Sequence, residues 1–190
     1  VQSMNRRNFI QSAGLISAAP LVMKLEKLHR LTDSFVNTEK MPLLFVGRGN
    51  PMNAISENSI TQGWENIVTD IPTPTAILCI SAHWETKGTF VTGMENPRTI
   101  HDFGGFPQAL FDVQYPAPGS SKFANEIQRV VTSTEVGLDD HWGLDHGTWS
   151  VLVKMFPDAD IPVLQMSIDY TKGPQYHYDL AKEIQSLREK

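Results

Sequence analysis

Six histidines occur in the 190-residue chain, and four of them stand at the ends of apolar runs or in irregular stretches: His83, His101, His141 and His146. A neutral imidazole can bind a transition metal, and an imidazole near neutral pH can take up and release a proton. Spacing alone favours ordinary structural histidines at these positions. Their number makes metal binding and proton transfer the two kinds of chemistry that the other residues must support or exclude.

Two of these histidines have the most informative surroundings. His83 ends the run ILCISAHW, and the carboxyl end of a strand is the edge at which α/β proteins bind ligands. His146 lies in GLDHGTW, where Gly143 and Gly147 allow its ring to approach a ligand closely. The single cysteine, Cys79, lies inside the apolar run AILCI, which favours a small buried residue over a nucleophile. The sequence has no HExxH, CxxC, GxSxG or P-loop motif that would indicate other chemistry.

Arg48 is an unusual residue for its place in the chain. It lies in the loop GRGNP, directly after the apolar run 42–46, where a buried strand is expected to end. Loops at strand ends commonly carry chemistry in α/β proteins. An arginine keeps its proton and has no lone pair, so this side chain can contact an anionic group but cannot bind a metal.

The elements that must position these residues alternate between strands and helices. Short apolar runs predict strands at 42–46, 76–81, 89–94 and 161–168. Helical spacing predicts a helix that Ser120 caps and two more over 148–156 and 176–190. This order predicts an α/β fold with a largely parallel central sheet and helices on both faces. The irregular stretches 95–119 and 136–147 are too long for simple connections and are the expected place of a functional site.

The composition excludes several classes of protein. At 41% hydrophobic and 19% charged residues, the chain is typical of one soluble domain. A net charge of -5 and the lack of a Lys/Arg stripe argue against a nucleic-acid partner. No stretch approaches the roughly 18–20 apolar residues that span a bilayer, so we expect no stable membrane anchor.

Residues 1–40 differ in character from the remainder. The paired Arg6 and Arg7 precede Phe9, Ile10 and a short, weakly apolar segment at 15–23, and this arrangement resembles a twin-arginine export signal followed by a linker. The alternative is an ordinary amphipathic helix at the N-terminus. A signal would imply export to the bacterial periplasm, whereas the amphipathic helix would leave the protein in the cytoplasm.

Residues 41–190 resemble a known enzyme family over their whole length. The segments VGRGNPMNAI, ISAHW, TIHDFGGFPQALFDVQYPAPG, WGLDHGTWSVLVKMFPDADIPVLQMSID and QYHYDLAKEI are similar, in this order, to successive blocks of the DODA-type extradiol aromatic ring-opening dioxygenases. The resemblance implies an α/β fold and an enzyme that opens a catechol ring with O2. It also implies a non-haem Fe(2+) cofactor, with Zn(2+) in some members.

The resemblance assigns roles to individual residues. It implies that His83 is a metal ligand and that His146 is a catalytic histidine on the substrate side, which orients or protonates the catechol. His101, in TIHDFGGFP, is a candidate for the substrate-binding wall of the pocket. Arg48 occupies the position of a ligand histidine in a GHGSP-like loop, which leaves it as a substrate-binding candidate. His177, in QYHYDL, is expected to be structural.

Two departures from the family pattern bear on activity. Arg48 replaces a ligand histidine, and the chain reaches Lys190 before the two further site histidines that the resemblance implies. We therefore expect a domain that is incomplete at its C-terminus, binds no metal tightly and is impaired in ring opening. Three explanations of Arg48 stay open: a sequence error or chance mutation in a working dioxygenase, a pseudoenzyme that holds an anionic aromatic, or an arginine turned to solvent. The alternative function is an inactive, exported aromatic-binding or interaction module.

Overall fold

A mixed four-stranded sheet forms the centre of the computed structural model, which describes residues 40–189. Its strands are β1 (Ile77–Thr86), β2 (Thr89–Thr92), β3 (Val136–Asp139) and β4 (Val163–Asp169), and their spatial order is β1-β4-β2-β3. The β1–β4 and β2–β3 pairs are parallel, while β2 meets β4 in antiparallel orientation at Val91 and Met166. The largely parallel sheet is confirmed, with one antiparallel junction at its centre.

Three of the five α-helices in the described residues begin where a side chain accepts hydrogen bonds from free backbone N–H groups. They are α1 (Ser59–Thr69), α2 (Gln108–Phe111), α3 (Ser121–Val130), α4 (His146–Met155) and α5 (Pro174–Ile184), with 3-10 helices at Pro51–Ile55 and Gln185–Glu189. Ser120 caps α3 as predicted, because its hydroxyl accepts a hydrogen bond from the N–H of Phe123. Asp145 caps α4, which starts two residues before the predicted position. The helix predicted over 176–190 corresponds to α5, which begins at Pro174, followed by the second 3-10 helix at Gln185–Glu189.

Helices cover both faces of the sheet, and β4 shows this most directly. Val163 packs in a cluster with Trp149 of α4. The next residue, Leu164, packs in a second cluster with Ile127 of α3 and Leu180 of α5. Because successive residues of a strand point to opposite faces, these two clusters are the cores on the two sides of the sheet. The predicted helices on both faces are confirmed.

The strand predicted at 42–46 does not form in the described part of the chain. This segment has no ladder partner there, and Leu43 and Phe45 are 75% and 99% exposed. The structure instead contains β3, which the sequence did not indicate because it is short and contains Gly137. A Cβ atom at Gly137 would lie 2.5 Å from the ring of Phe90, its partner in the ladder, so glycine leaves room for this ring where β2 and β3 pair.

Some expectations concern residues that the structure does not describe. The twin-arginine segment and nearly all of the linker lie outside residues 40–189, so export stays a prediction. Among the described residues, no helix has the length and apolar character needed to cross a membrane.

Candidate active site

His83 lies where the pairing of β1 with β4 is interrupted. Ile80 pairs with Met166 and Glu85 with Ile168, so residues 81–84 lie opposite a single residue of β4. Such a bulge bends the strand and redirects its side chains. The backbone N–H of His83 donates to the Ser81 hydroxyl at 3.2 Å, and the imidazole remains 34% exposed. The bulge thus presents His83 near the carboxyl end of β1, as the sequence predicted.

His146 is the first residue of α4, and the buried carboxylate of Asp145 fixes this helix start. One oxygen of Asp145 accepts hydrogen bonds from the N–H groups of Gly147 and Thr148 at 2.9 and 3.1 Å. Gln165 of β4 also contacts Asp145, since its side-chain oxygen accepts from the Asp145 N–H at 3.1 Å. The His146 side chain is only 6% exposed. The sheet therefore anchors the helix turn that carries this imidazole.

Gly147 allows α4 to approach the bulge closely. A Cβ atom at this position would lie 2.4 Å from the Ser81 hydroxyl oxygen and 2.6 Å from Cδ2 of His83. The side chains of Ser81 and His83 would have to shift to admit a Cβ atom, so glycine leaves the room for this close approach. The close approach brings the ring centroids of His83 and His146 to 4.0 Å from each other.

Asp102 is a site residue that the sequence reasoning did not identify. Its Oδ1 accepts hydrogen bonds from the backbone N–H of His146 at 3.0 Å and from the ring Nδ1 of His146 at 2.8 Å. Its Oδ2 lies 4.0 Å from Nδ1 of His83. The only signal in the sequence was its position in the irregular stretch 95–119, directly after His101.

The surroundings shift the pKa of both members of this pair downward. Burial opposes ionisation of Asp102, but the hydrogen bonds and charge of His146 outweigh it, so the pKa of Asp102 lies below its ordinary value. Burial lowers the pKa of His146, the Asp102 carboxylate partly restores it, and the charges of His83 and Arg48 lower it further. We therefore describe the pair as an aspartate anion beside a neutral imidazole at neutral pH.

Arg48 contacts the same cluster through His83. Its Nη2 lies 3.3 Å from Nε2 of His83. A guanidinium can only donate hydrogen bonds, so this ring nitrogen is the acceptor and the proton of a neutral His83 is on Nδ1. Nη1 of Arg48 is buried and has no hydrogen-bond partner among residues 40–189. Burial lowers the pKa of Arg48, while Asp102 and Asp145 raise it, and the side chain stays cationic.

The residue types at this site suit a metal, but Arg48 occupies the approach to one of the ligand nitrogens. His83, Asp102 and His146 each offer a ligand atom, all within 4.8 Å of one another, and two imidazoles with a carboxylate can bind iron or zinc. An ion bonded to Nε2 of His83 at about 2.1 Å would be only about 1.2 Å from Nη2 of Arg48. Asp102 and His146 also already form a hydrogen bond with each other. A metal bound to Nε2 of His83 does not fit unless Arg48 moves away.

Aromatic side chains line one side of the cluster. Phe103 meets the ring of His146 edge-on at a centroid distance of 5.2 Å. His101 packs against Phe103 and Trp149, and its Nε2 lies 2.9 Å from the backbone oxygen of Val113. His101 thus packs against Phe103, which in turn contacts His146, and one of its ring nitrogens is already hydrogen-bonded to Val113.

The other two histidines named from the sequence lie elsewhere. His141 is exposed, in a turn that its backbone N–H forms with the Asp139 carboxylate. Nε2 of His177 lies 3.2 Å from the backbone oxygen of Asp169. This residue also lines a concavity of about 490 Å³ next to β4 and α5, whose lining includes none of the clustered site residues.

In this α/β fold, His83 of β1, His146 at the start of α4 and Asp102 from a loop meet near the carboxyl end of β1 and form a histidine-centred site. Comparison with known protein families identifies the family to which this site belongs. Residues 41–190 match the family described as the catalytic LigB subunit of aromatic ring-opening dioxygenase, and the chain belongs to that family. The resemblance found in the sequence is therefore confirmed.

Named relatives agree with the family. The chain is 48% identical over 158 residues to a 4,5-DOPA dioxygenase extradiol of Escherichia coli, covering 83% of this chain and 58% of the relative. It is 38% identical to a 4,5-DOPA dioxygenase extradiol of Beta vulgaris, covering 76% and 56%. The crystal structure of an uncharacterized Escherichia coli K12 protein matches with a TM-score of 0.60 and 41% identity, covering 73% of this chain and 52% of that one. The chain spans about half the length of the relatives it matches.

Proposed function

We propose that the protein is an extradiol dioxygenase that opens the ring of a catechol with O2 and a non-haem metal ion, iron or zinc, and that Arg48 impairs this activity. One observation carries the proposal: His83 and His146, far apart in the chain, lie with ring centroids 4.0 Å apart at a strand end within family-matched sequence. The family and its named relatives are ring-opening dioxygenases, which are oxidoreductases. Because the family and its named relatives are enzymes, an inactive aromatic-binding module is the less favoured function.

His146 is the proposed catalytic residue, and its surroundings suit proton exchange with a catechol hydroxyl. Its Nδ1 faces Asp102, so Nε2 is the nitrogen with a free lone pair. Burial lowers the pKa of this imidazole, which favours the neutral form that can accept a proton. Phe103 supplies an apolar surface beside the ring. These features support a histidine that takes a proton from the substrate and returns it.

Arg48 is the proposed substrate contact, and His83 is the proposed metal ligand, as the family resemblance implies. Nη1 of Arg48 has no hydrogen-bond partner in the described part of the chain, so it could donate a hydrogen bond to an ionised catechol oxygen or to a carboxylate of the substrate. Because His101 uses Nε2 on Val113, we propose that it shapes the pocket wall through Phe103. In this chain the guanidinium beside His83 opposes metal binding, which is the proposed cause of the impairment.

Substitution of Arg48 by histidine tests the proposal. In a chain that has the full length of its relatives, Arg48→His should open a catechol ring and form a yellow semialdehyde product, while Arg48→Ala should form much less. Arg98→His is the matched control, because Arg98 is exposed and bonds the backbone oxygen of Trp142 instead. A colourless reaction with Arg48→His would refute the proposed activity. Full activity with Arg48 unchanged would refute the impairment.

We also propose export to the periplasm by the twin-arginine route. The support is the order of Arg6 and Arg7 before a short, weakly apolar segment. Cell fractionation should find the protein with periplasmic markers, and substitution of both arginines by lysine should retain it in the cytoplasm. Cytoplasmic protein without these substitutions would argue for the amphipathic-helix interpretation.

A further inference from the structure

We infer that Asp102 is a positioning residue that fixes the tautomer of His146, with the proton on Nδ1 and the lone pair on Nε2, and that it does not act as a metal ligand. The inference deepens the proposed function, because His146 is the residue proposed to exchange the catechol proton. It requires only that the carboxylate and the imidazole keep the contacts described above.

The first support is that one carboxylate oxygen accepts two hydrogen bonds from the same residue. Oδ1 of Asp102 lies 3.0 Å from the backbone nitrogen of His146 and 2.8 Å from its ring Nδ1. The backbone N–H belongs to the first residue of α4 and has no acceptor within the helix, so Asp102 also satisfies a free donor. The two bonds together hold both the position and the rotation of the imidazole.

The second support is the chemistry of the acceptor. An ionised carboxylate accepts hydrogen bonds and donates none, so a ring nitrogen bonded to it must carry the proton. The same oxygen of Asp102 accepts from the backbone N–H of His146 at 3.0 Å, so the carboxylate faces two N–H donors, as an anionic acceptor does. Nε2 of His146 is therefore the nitrogen without a proton.

The third support is the orientation of His83. Its Nε2 accepts from Arg48, so its proton is on Nδ1, and Nδ1 lies 4.0 Å from Oδ2 of Asp102. Both imidazoles thus turn a protonated nitrogen toward the carboxylate. A metal bound by Asp102 and these two nitrogens would require both rings to lose that proton and break the bond to His146. The geometry favours a carboxylate that orients histidines over one that binds an ion.

The fourth support is that one short segment supplies both constraints on the ring. Phe103 follows Asp102 directly and contacts His146 edge-on at 5.2 Å. The carboxylate fixes the ring by hydrogen bonds, and the phenyl ring restricts it from another side. His146 itself is only 6% exposed, so water competes weakly for Nδ1.

Nitrogen-15 NMR of the 190-residue chain, labelled at histidine, tests the inference without any activity assay. At neutral pH the Nδ1 signal of His146 should be of the protonated type and the Nε2 signal of the unprotonated type. A His146→Gln variant assigns the signals. Protonated Nε2 in the unsubstituted chain would overturn the inference directly.

Two nearly isosteric variants separate hydrogen bonding from space filling. In Asp102→Asn the amide oxygen can still accept both hydrogens, so the tautomer should be retained. In Asp102→Leu no acceptor is left, so the His146 signals should exchange types or average. Asp112→Leu, at an exposed carboxylate that bonds Gln108, is the matched control and should leave His146 unchanged.

The outcomes are decisive in each case. Equal spectra for Asp102→Asn and Asp102→Leu would show that Asp102 only fills space and would overturn the inference. Near-UV circular dichroism checks folding, and if Asp102→Leu does not fold, Asp102→Ala makes the same comparison. A correct tautomer in a chain that cannot open catechol in the Arg48→His form would refute the proposed function and leave this inference standing.

Discussion

Replacement of Arg48 should give this chain an affinity for divalent metal that it otherwise lacks. Nη2 of Arg48 lies 3.3 Å from Nε2 of His83, on the lone pair that a metal would use. Subtracting a bond of about 2.1 Å leaves about 1.2 Å between an ion and the guanidinium nitrogen, far less than any non-bonded contact. Arg48 must therefore move before His83 can bind an ion through Nε2.

The cost of that movement sets the size of the effect. If the guanidinium retreats only to about 4 Å from the ion, repulsion at an effective dielectric constant near 20 costs about 8 kcal/mol for a dication. If it turns fully into water, the loss is about 1 kcal/mol for one hydrogen bond, plus the attraction of Asp102 and Asp145 that favours its present position. We expect an intermediate cost of at least about 2.8 kcal/mol, which is a hundredfold in affinity.

Isothermal titration calorimetry with zinc, and with ferrous ion without oxygen, measures this difference. Arg48→Ala should bind at least a hundredfold more tightly than the unsubstituted chain, and Arg48→His more tightly still, because its imidazole can be a further ligand. Arg98→Ala is the matched control and should behave like the unsubstituted chain. Addition of His83→Ala to Arg48→His should abolish binding and so locate the site. Sub-micromolar binding with Arg48 in place, or a gain below tenfold on its removal, would refute the reasoning.

Three further predictions concern stability, measured by urea unfolding. Gly147→Ala should lower the free energy of unfolding by about 1–3 kcal/mol, because the added Cβ atom clashes with the β1 bulge. Gly63→Ala, in an open helical position, should instead raise it by up to about 1 kcal/mol, and equal effects of the two substitutions would contradict the close packing at Gly147. Trp149→Phe should lower the free energy of unfolding by about 1–3 kcal/mol, because the part-buried backbone oxygen of Ile100 loses its hydrogen bond from the indole N–H at 2.8 Å. An unchanged urea midpoint would count against that hydrogen bond. Hydrogen bonds from residues 132 and 133 lower the pKa of Glu183 to about 2 from 4.5, so its stabilisation is present above pH 4.5 and lost as the pH falls toward 2. Glu183→Gln should therefore be less stable than the unsubstituted chain at neutral pH only, and a difference that persists in acid would argue against this role.

Local patterns in the sequence were sufficient for much of the fold. Alternating apolar runs located β1, β2 and β4, and Ser120 marked the start of α3, because capping and periodicity depend on residues close together in the chain. The same reasoning failed for the run 42–46, which is apolar but has no strand partner in the described residues. It also missed β3, whose short sequence contains Gly137. Strand pairing is a non-local contact, so composition alone could not decide either case.

For the candidate site, too, local sequence patterns predicted some residues, whereas contacts between distant residues could not be predicted. Residue type and position next to a strand end or flanking glycines were enough to select His83, His146 and Arg48, and the family follows from the order of the sequence blocks. Asp102 could not be selected, since its partner His146 is 44 residues away, and Arg48 meets His83 across 35 residues. Which nitrogen of each imidazole is free depends on these distant partners. The kinds of chemistry available can therefore be predicted from the sequence, whereas the tautomers of the two imidazoles and the contact of Arg48 with Nε2 of His83 arise only when folding brings a carboxylate and a guanidinium onto the two rings.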